Sequence, residues 1–492
     1  MQGTFKILYA AAEIAPFVKT TAMAEAANSL ARALKDFGHD IRLFIPKYSV
    51  INDRKYTIRE VIRLKAIKVA MGDKVSYVDV KSAFLPNSKV QVYFVENKDF
   101  FDRPDPFIDP ETGQPYSDNA ERFSFFCNAI FVILTKLHWQ PDIIHCNDWH
   151  TALIPYLLKY IYEKDPFYSK IKTLLSIHDL SAQGVFNAEV LPSIGFPQEI
   201  FTPNSPFEHN GKVNLLKAGL LSADFINTTS KIYAKQIQTS MEASFGLQDT
   251  FRIRAKNIVG IPSGANYSVW NPETDPLIPY QFSKKDFRGK LQNKEHLLAA
   301  LGMPFKQELP LIGIPLQNLS QDAQTTIVAA LNEIIQLNVQ LLLYGGGSTS
   351  LQKSLQSVVK KNPQKIAFQF QYDEAFEHLV VAGCDLFFNP CKIEPCGSID
   401  IYCLKYGTIP IVHESIGVMD LIKSYDATMN KGNCFTYSDY SVPSMMQAVI
   451  AAINLFKDDA NWRKLMDRNM RLNFSWELAA ENYQKLYEKI IN

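Results

Sequence analysis

Short apolar runs alternate along the chain with longer stretches in which apolar residues recur every three or four positions, a pattern that predicts strands and helices in succession and hence parallel sheets. The first repeat is the clearest. KILYAAAEI (6–14) reads as a buried strand, Met23, Ala27, Leu30, Leu34 and Phe37 keep helical spacing, Gly38 is a helix stop, and DIRLFIPKY (40–48) is the next strand. QVYFVE (91–96), PDIIHCND (141–148), KTLLSIHDL (172–180) and ADFINTTS (223–230) continue the series.

GIPSGANYSVWNPETDPLIP (260–279), rich in Pro, Gly and Asn, interrupts it, and polar and basic residues follow to about Gly302. Strands resume at LPLIGIPL (309–316), NVQLLLYGGG (338–347), QKIAFQFQY (364–372), CDLFFNP (384–390) and TIPIVHE (408–414). The expected organisation is a first domain over 1–260, a linker over 261–302, a second domain over 303–468, and a terminal helix over 469–492 docking back on the first domain. The fold class is α/β: two doubly wound parallel-sheet domains facing a cleft, with ligands at the carboxyl ends of the strands.

At 492 residues the chain exceeds what one core holds, which agrees with two domains. Fifty-one Lys and Arg against 50 Asp and Glu leave a formal charge of +1, so neither nucleic acid nor an anionic membrane is an expected partner. Seven cysteines without a CxxC pair argue against a disulfide framework and a zinc ribbon and for a reducing, cytoplasmic location. The N-terminal apolar run breaks at Glu13, too soon for a signal peptide, and no 18-residue apolar stretch follows. With no HExxH and no histidine cluster, no metal is expected.

Candidate chemistry gathers where predicted strands end. KTTAMAEAANSL (19–30) stands at a strand-to-helix junction, the place of a phosphate-cradling turn, yet contains no glycine; Lys19 supplies charge, and Thr20 and Thr21 can cap the helix. Asp148 and His150 follow a buried strand directly, and either they form a polar site or Asp148 simply caps the next helix. His178 ends the following strand, as a ligand for a polar molecule or as a satisfied structural residue. Glu394 sits after CDLFFNP, in a turn shaped by Pro395 and Gly397, where it aims a carboxylate into the cleft or favours a helix start. Cys396 reads as packing rather than a nucleophile, since no His or Asn pattern partners it.

EIAPFVKTTAMAEAANSLARAL, HCNDWHTALIPYLLK, SIHDLSAQGVF, LLKAGLLSADFINTTS, VWNPETDP, YDEAFEHLVVAGCDLFFNPCKIEPCG and YGTIPIV resemble, in order and spacing, the bacterial glycogen synthases and plant starch synthases, essentially from end to end. The resemblance implies the GT-B arrangement of two Rossmann-like domains, the first on the acceptor side and the second binding the nucleotide sugar. It implies transfer of glucose from ADP-glucose to the non-reducing 4-hydroxyl of an α-1,4-glucan such as glycogen, with retention and no metal or other cofactor. Carried over by position, Lys19 matches a donor-binding lysine and Glu25 the acidic residue at the ribose. Tyr372 matches the residue packing on adenine; Asp148, His178 and Glu394 match the catalytic glucose site; His150, Cys396 and Gly397 fall among substrate-binding positions.

The chain departs from the family at its anion sites. Where the family reads Lys-Thr-Gly-Gly-Leu this sequence has Lys19-Thr20-Thr21-Ala22-Met23, and Gln317 and Asp322 stand at the usual Arg and Lys that grip the diphosphate. Ser263 and Asn266 replace the usual Asn and Asp, and Ile416-Gly417 a glycine pair. Two readings follow: an active glucosyltransferase using other cations, or a catalytically impaired relative that binds glucan or nucleotide in a regulatory role. A third keeps the fold and changes the nucleotide-sugar donor. Oligomeric state is left open by the sequence.

Overall fold

The computed structural model describes residues 3–317, 319, 321–346, 349–392 and 398–492. It divides into two units, Met1–Gly264 with Trp476–Asn492, and Ala265–Ser475.

The sheet of the first unit contains β1 (Lys6–Ala10), β2 (Asp40–Pro46), β3 (Arg59–Glu60), β4 (Ile67–Met71), β5 (Lys74–Phe84), β6 (Gln91–Glu96), β7 (Ile143–Asn147), β8 (Lys172–Ile177), β9 (Phe225–Thr228) and β10 (Ile258–Gly260). Their order is β10-β9-β8-β7-β1-β2-β6-β5-β3, with β4 on β5. From β10 to β6 every pairing is parallel, and these buried apolar strands are the ones that the sequence pattern anticipates, apart from the short edge strand β10. The antiparallel edge β3–β5 is an addition to that expectation. In β5 the buried Val78, Val80 and Ala83 are interleaved with exposed Asp79 and part-exposed Lys81 and Ser82, so no apolar run announces the strand.

Helix α1 (Ala22–Asp36) turns its apolar stripe, including Met23, Ala27, Leu30 and Leu34, into the core. Thr21 is its N-cap, and the chain leaves through Gly38 at φ 94, a left-handed exit that suits glycine. Between β6 and β7 runs α2 (Asn119–Leu137), and a single turn, α3 (Asp148–Thr151), follows β7 directly. The chain moves outward from β1 through β2 to β6, then returns to the other side of β1 with β7. Strand order therefore reverses between β1 and β7, and the crevice at such a reversal is where doubly wound sheets bind ligands.

In the second unit the stretch after Ala265 corrects the linker expected over 261–302. Trp270, Ile278 and Phe282 are buried in one cluster with Leu297 and Leu298 of α4 (Arg288–Ala300). The Asp275 carboxylate accepts from the Tyr406 hydroxyl at 2.6 Å and bonds His378 Nδ1 at 2.7 Å, while Trp270 stacks on His378. Proline and asparagine punctuate this strap, and its irregularly spaced apolar anchors carry no helical or strand period, so it reads as a linker until its partners are known.

Six strands follow: β11 (Leu311–Pro315), β12 (Gln340–Tyr344), β13 (Ile366–Gln369), β14 (Leu386–Phe388), β15 (Ile409–His413) and β16 (Phe435–Tyr437), in the order β13-β12-β11-β14-β15-β16 and parallel throughout. Helices α5 (Gln321–Ile334) and α6 (Glu374–Gly383) follow β11 and β13. The order reverses between β11 and β14.

The last helix, α7 (Trp476–Ile491), belongs to the first unit and buries Trp476, Ala479, Ala480, Tyr483, Leu486, Tyr487 and Ile490. Its two tyrosines enter a buried polar chain. Tyr483 and Ser176 both donate to Asn227 Oδ1 at 2.8 Å, so Ser176 Oγ accepts from His145 Nε2 at 2.6 Å, and His145 Nδ1 accepts from the Tyr487 hydroxyl at 2.8 Å. Tyr487→Phe leaves His145 Nδ1 buried and unbonded, and thermal or urea unfolding of the variant is expected to show a loss of about 1–3 kcal/mol. Among the described residues no helix is long and apolar enough to cross a membrane.

Candidate active site

At the carboxyl end of β1 the chain delivers Glu13, whose side chain is wholly buried. A buried carboxylate requires donors, and the 19–21 turn provides them. Thr20 N–H reaches Glu13 at 2.6 Å, the Thr20 hydroxyl at 2.8 Å, Thr21 N–H at 3.3 Å, and the Thr21 hydroxyl bonds the second carboxylate oxygen. Thr21 also accepts from Met23 N–H, capping α1. With φ −131 and ψ 169, Thr21 lies in extended backbone that any residue adopts, so this turn needs no glycine. Threonine hydroxyls anchored on Glu13 thus organise the junction. Lys19 pairs with Glu25 in the first turn of α1 at 3.0 Å, and both side chains remain part-exposed.

Asp148, at the end of β7, is 7% exposed and holds φ 54, a left-handed conformation that aspartate tolerates better than most residues. It does not cap α3. Its Oδ1 accepts from the backbone N–H of His178 at 2.8 Å and more weakly from that of Asp179, tying the end of β7 to the end of β8. Burial outweighs these bonds and, with Asp179 and Glu13 adding negative charge nearby, raises the carboxyl to a pKa of about 7. Burial also lowers His178 to about 4, so its imidazole is neutral at physiological pH. His178 Nε2 lies 3.0 Å from Asn147 Oδ1, which takes a second bond from the buried Tyr9 hydroxyl at 2.9 Å.

His150 takes a different course from its neighbour. Its ring packs against Phe107, Phe123 of α2 and Trp149 at centroid separations of 4.8, 4.6 and 4.1 Å, and burial beside Arg122 lowers its pKa to about 3. The structure therefore brings Asp148 and His178 together, pairs Lys19 with Glu25, and seats His150 in an aromatic pocket.

In the second unit Gln317, Gly345 and Tyr372 meet where β11, β12 and β13 end. Gly345 has φ 89, and the Gln317 amide oxygen fills the space that a β-carbon there would need. Tyr372 packs edge-on to Tyr344 at 5.2 Å, and burial raises its pKa against the hydrogen bond with Gln317. Asp322 lies exposed in the first turn of α5. Glu394, Cys396 and Gly397 lie outside the described residues.

Pattern reading passed over Glu13, Asn147 and Tyr9. Their signal is weak: one acid that interrupts an apolar run, and two polar groups inside strands, meaningful only when the partner is known.

Residues 6–253 match the family model of the starch synthase catalytic domain. The chain is 34% identical over 488 residues to the glycogen synthase of Chlorobaculum parvum, covering 99% of both, and 36% identical over 486 residues to that of Koribacter versatilis, covering 98% of both. Among solved structures it is similar to the catalytic domain of starch synthase IV from Arabidopsis thaliana, bound to ADP and acarbose, with a TM-score of 0.87, 26% identity and 99% of this chain covered. A sucrose-phosphate synthase from Thermosynechococcus elongatus shares the fold at a TM-score of 0.57 and 16% identity. Two parallel doubly wound units with polar groups at the strand-order reversals, and 34–36% identity over nearly the whole chain to the two glycogen synthases, lead to one conclusion: the chain belongs to the glycogen synthase and starch synthase family of glycosyltransferases.

Proposed function

We propose that the protein elongates an α-1,4-glucan by transferring glucose from ADP-glucose to a non-reducing 4-hydroxyl with retention of configuration. The observation that carries this reading is the Asp148–His178 pair, a buried carboxylate and a neutral imidazole on adjacent strand ends at the ligand-binding edge of the first unit. Such groups suit sugar hydroxyls, which both donate and accept hydrogen bonds.

In this reading Asp148, His178 and, by position in the family, Glu394 hold the glucosyl unit near the reaction centre, and Lys19, Glu25 and Tyr372 serve phosphate, ribose and adenine. His150 supports the site through its packing on Trp149, next to Asp148, and Cys396 and Gly397 are assigned to substrate binding by position in the family. No metal is invoked; charge leaving with the diphosphate is met by side-chain cations and helix N-termini. Six free cysteines among the described residues support a cytoplasmic setting.

The test is ADP release from ADP-glucose with and without glycogen, with UDP-glucose in parallel and Glu394→Ala as the blank. Glycogen-dependent release that disappears in the variant supports the reading. Release from neither donor, with glycogen still bound, overturns it in favour of the impaired, binding relative. Gln317→Arg restores a cation at the end of β11. A charge-assisted hydrogen bond contributes about 1.5–3 kcal/mol, so KM for ADP-glucose is expected to fall about tenfold or more in that variant.

A further inference from the structure

The two bonds to Asn147 settle a question about His178 that the family assignment leaves open: which ring nitrogen carries the proton. Asn147 Nδ2 donates to the Ala10 carbonyl at 3.0 Å, which orients the amide and turns Oδ1 toward Tyr9 and His178. An amide oxygen only accepts. His178 must therefore donate through Nε2–H, and in the neutral ring Nδ1 is left with its lone pair. Among the described residues no group hydrogen-bonds Nδ1.

We propose that Asn147, braced by Tyr9, is a positioning residue that holds His178 as the Nε2–H tautomer and so presents Nδ1 as an acceptor for a sugar hydroxyl. The sugar part rests on the proposed function; the tautomer does not. Asn147 touches no reacting atom itself. It acts from the end of β7 on the end of β8, and Tyr9 acts on it from β1, so all three strands at the order reversal take part. The charged and titratable groups facing His178 are Asp148 through the backbone N–H, Asp179, and His145 one strand away. None of these is bonded to its ring.

Nitrogen-15 NMR of histidine-labelled protein reads the tautomer without turnover. At pH 7 wild-type His178 is expected to show the Nε2–H pattern, with no titration above about pH 5. Asn147→Asp keeps an acceptor at Nε2 but adds a negative charge, which favours the imidazolium; the His178 titration is expected to rise by at least about one pH unit. Once protonated, Nδ1 no longer accepts, so glucosyl transfer by the variant should fall, relative to wild type, as pH drops through its raised His178 titration. Tyr9→Phe removes one brace but keeps the Asn147 Nδ2–Ala10 bond that orients the amide, so tautomer and titration are expected to stay as in wild type. An Nδ1–H or mixed tautomer in wild type, or an unshifted titration in Asn147→Asp with the His145 resonances native, overturns the proposal. The expected tautomer in a protein without transferase activity refutes the proposed function and its sugar hydroxyl, and leaves the positioning role standing.

Discussion

Asp148→Asn is expected to make the first unit more stable at pH 8 while lowering glucosyl transfer by about 10²–10³-fold, the usual loss when one positioned polar group is removed from a transition-state site. The stability change follows from the raised carboxyl. An aspartate titrates near 3.9 in the unfolded chain and near 7 here, so the native state holds the extra proton between those values and stability falls as pH rises through the interval. Three units correspond to about 4 kcal/mol, absent below pH 4, accumulating toward pH 7 and constant above. Asparagine offers the same oxygen to the His178 and Asp179 N–H groups, accepts a left-handed φ, and has no charge to bury. Melting curves of variant and wild type should therefore converge at acid pH and separate toward pH 8. Parallel curves from pH 5 to 8 would show that Asp148 is ionised at little cost. A residue whose charge is unwelcome in the fold, held on a strained backbone, is what a functional site is expected to contain.

Glu13→Ala is expected to destabilise the first unit by about 3 kcal/mol and to abolish donor binding. The substitution removes the acceptor for two backbone N–H groups and two hydroxyls of Thr20 and Thr21, and frees the Thr21 hydroxyl that caps α1. Lys19 opens this turn, so its ammonium loses its placement beside Glu25. Glu13→Gln separates the two effects: it keeps the shape but turns an NH₂ toward one of the four donors, and an intermediate loss of stability is expected. The readouts are the melting temperature and ADP-glucose affinity by calorimetry; a variant that melts like wild type and binds donor normally would mean that the turn is ordered by α1 alone. Threonine at this junction is therefore an alternative way to build it: hydroxyls bonded to a buried acid do the ordering, and the extended backbone of Thr21 makes glycine unnecessary.

Much of this protein was legible in its amino-acid order. Continuous apolar runs located β1, β2, β6 to β9 and β11 to β15, helical spacing gave α1 and its stop at Gly38, and ordered motifs along the whole length identified the family. These are local signals, carried by residues within about ten positions of one another. The half-exposed strand β5 has no such run, and the strap after Ala265 shows its anchors only in contact with α4, His378 and Tyr406.

The chemistry of the site was decided at longer range. Asp148 was visible as a cap or a ligand, and only the turn at φ 54 and the bond to His178 N–H excluded the cap. His150, two residues away, looked equivalent and instead packs among three aromatic rings. The sequence by itself determined the buried apolar strands, helix α1 and the family, because period and motif are written in neighbours. Tertiary structure alone decided which buried polar groups meet: Tyr9 finds Asn147 across 138 residues and His145 finds Tyr487 across 342, and hydrogen bonds between such groups depend on sheet order and register, which no short stretch of chain encodes.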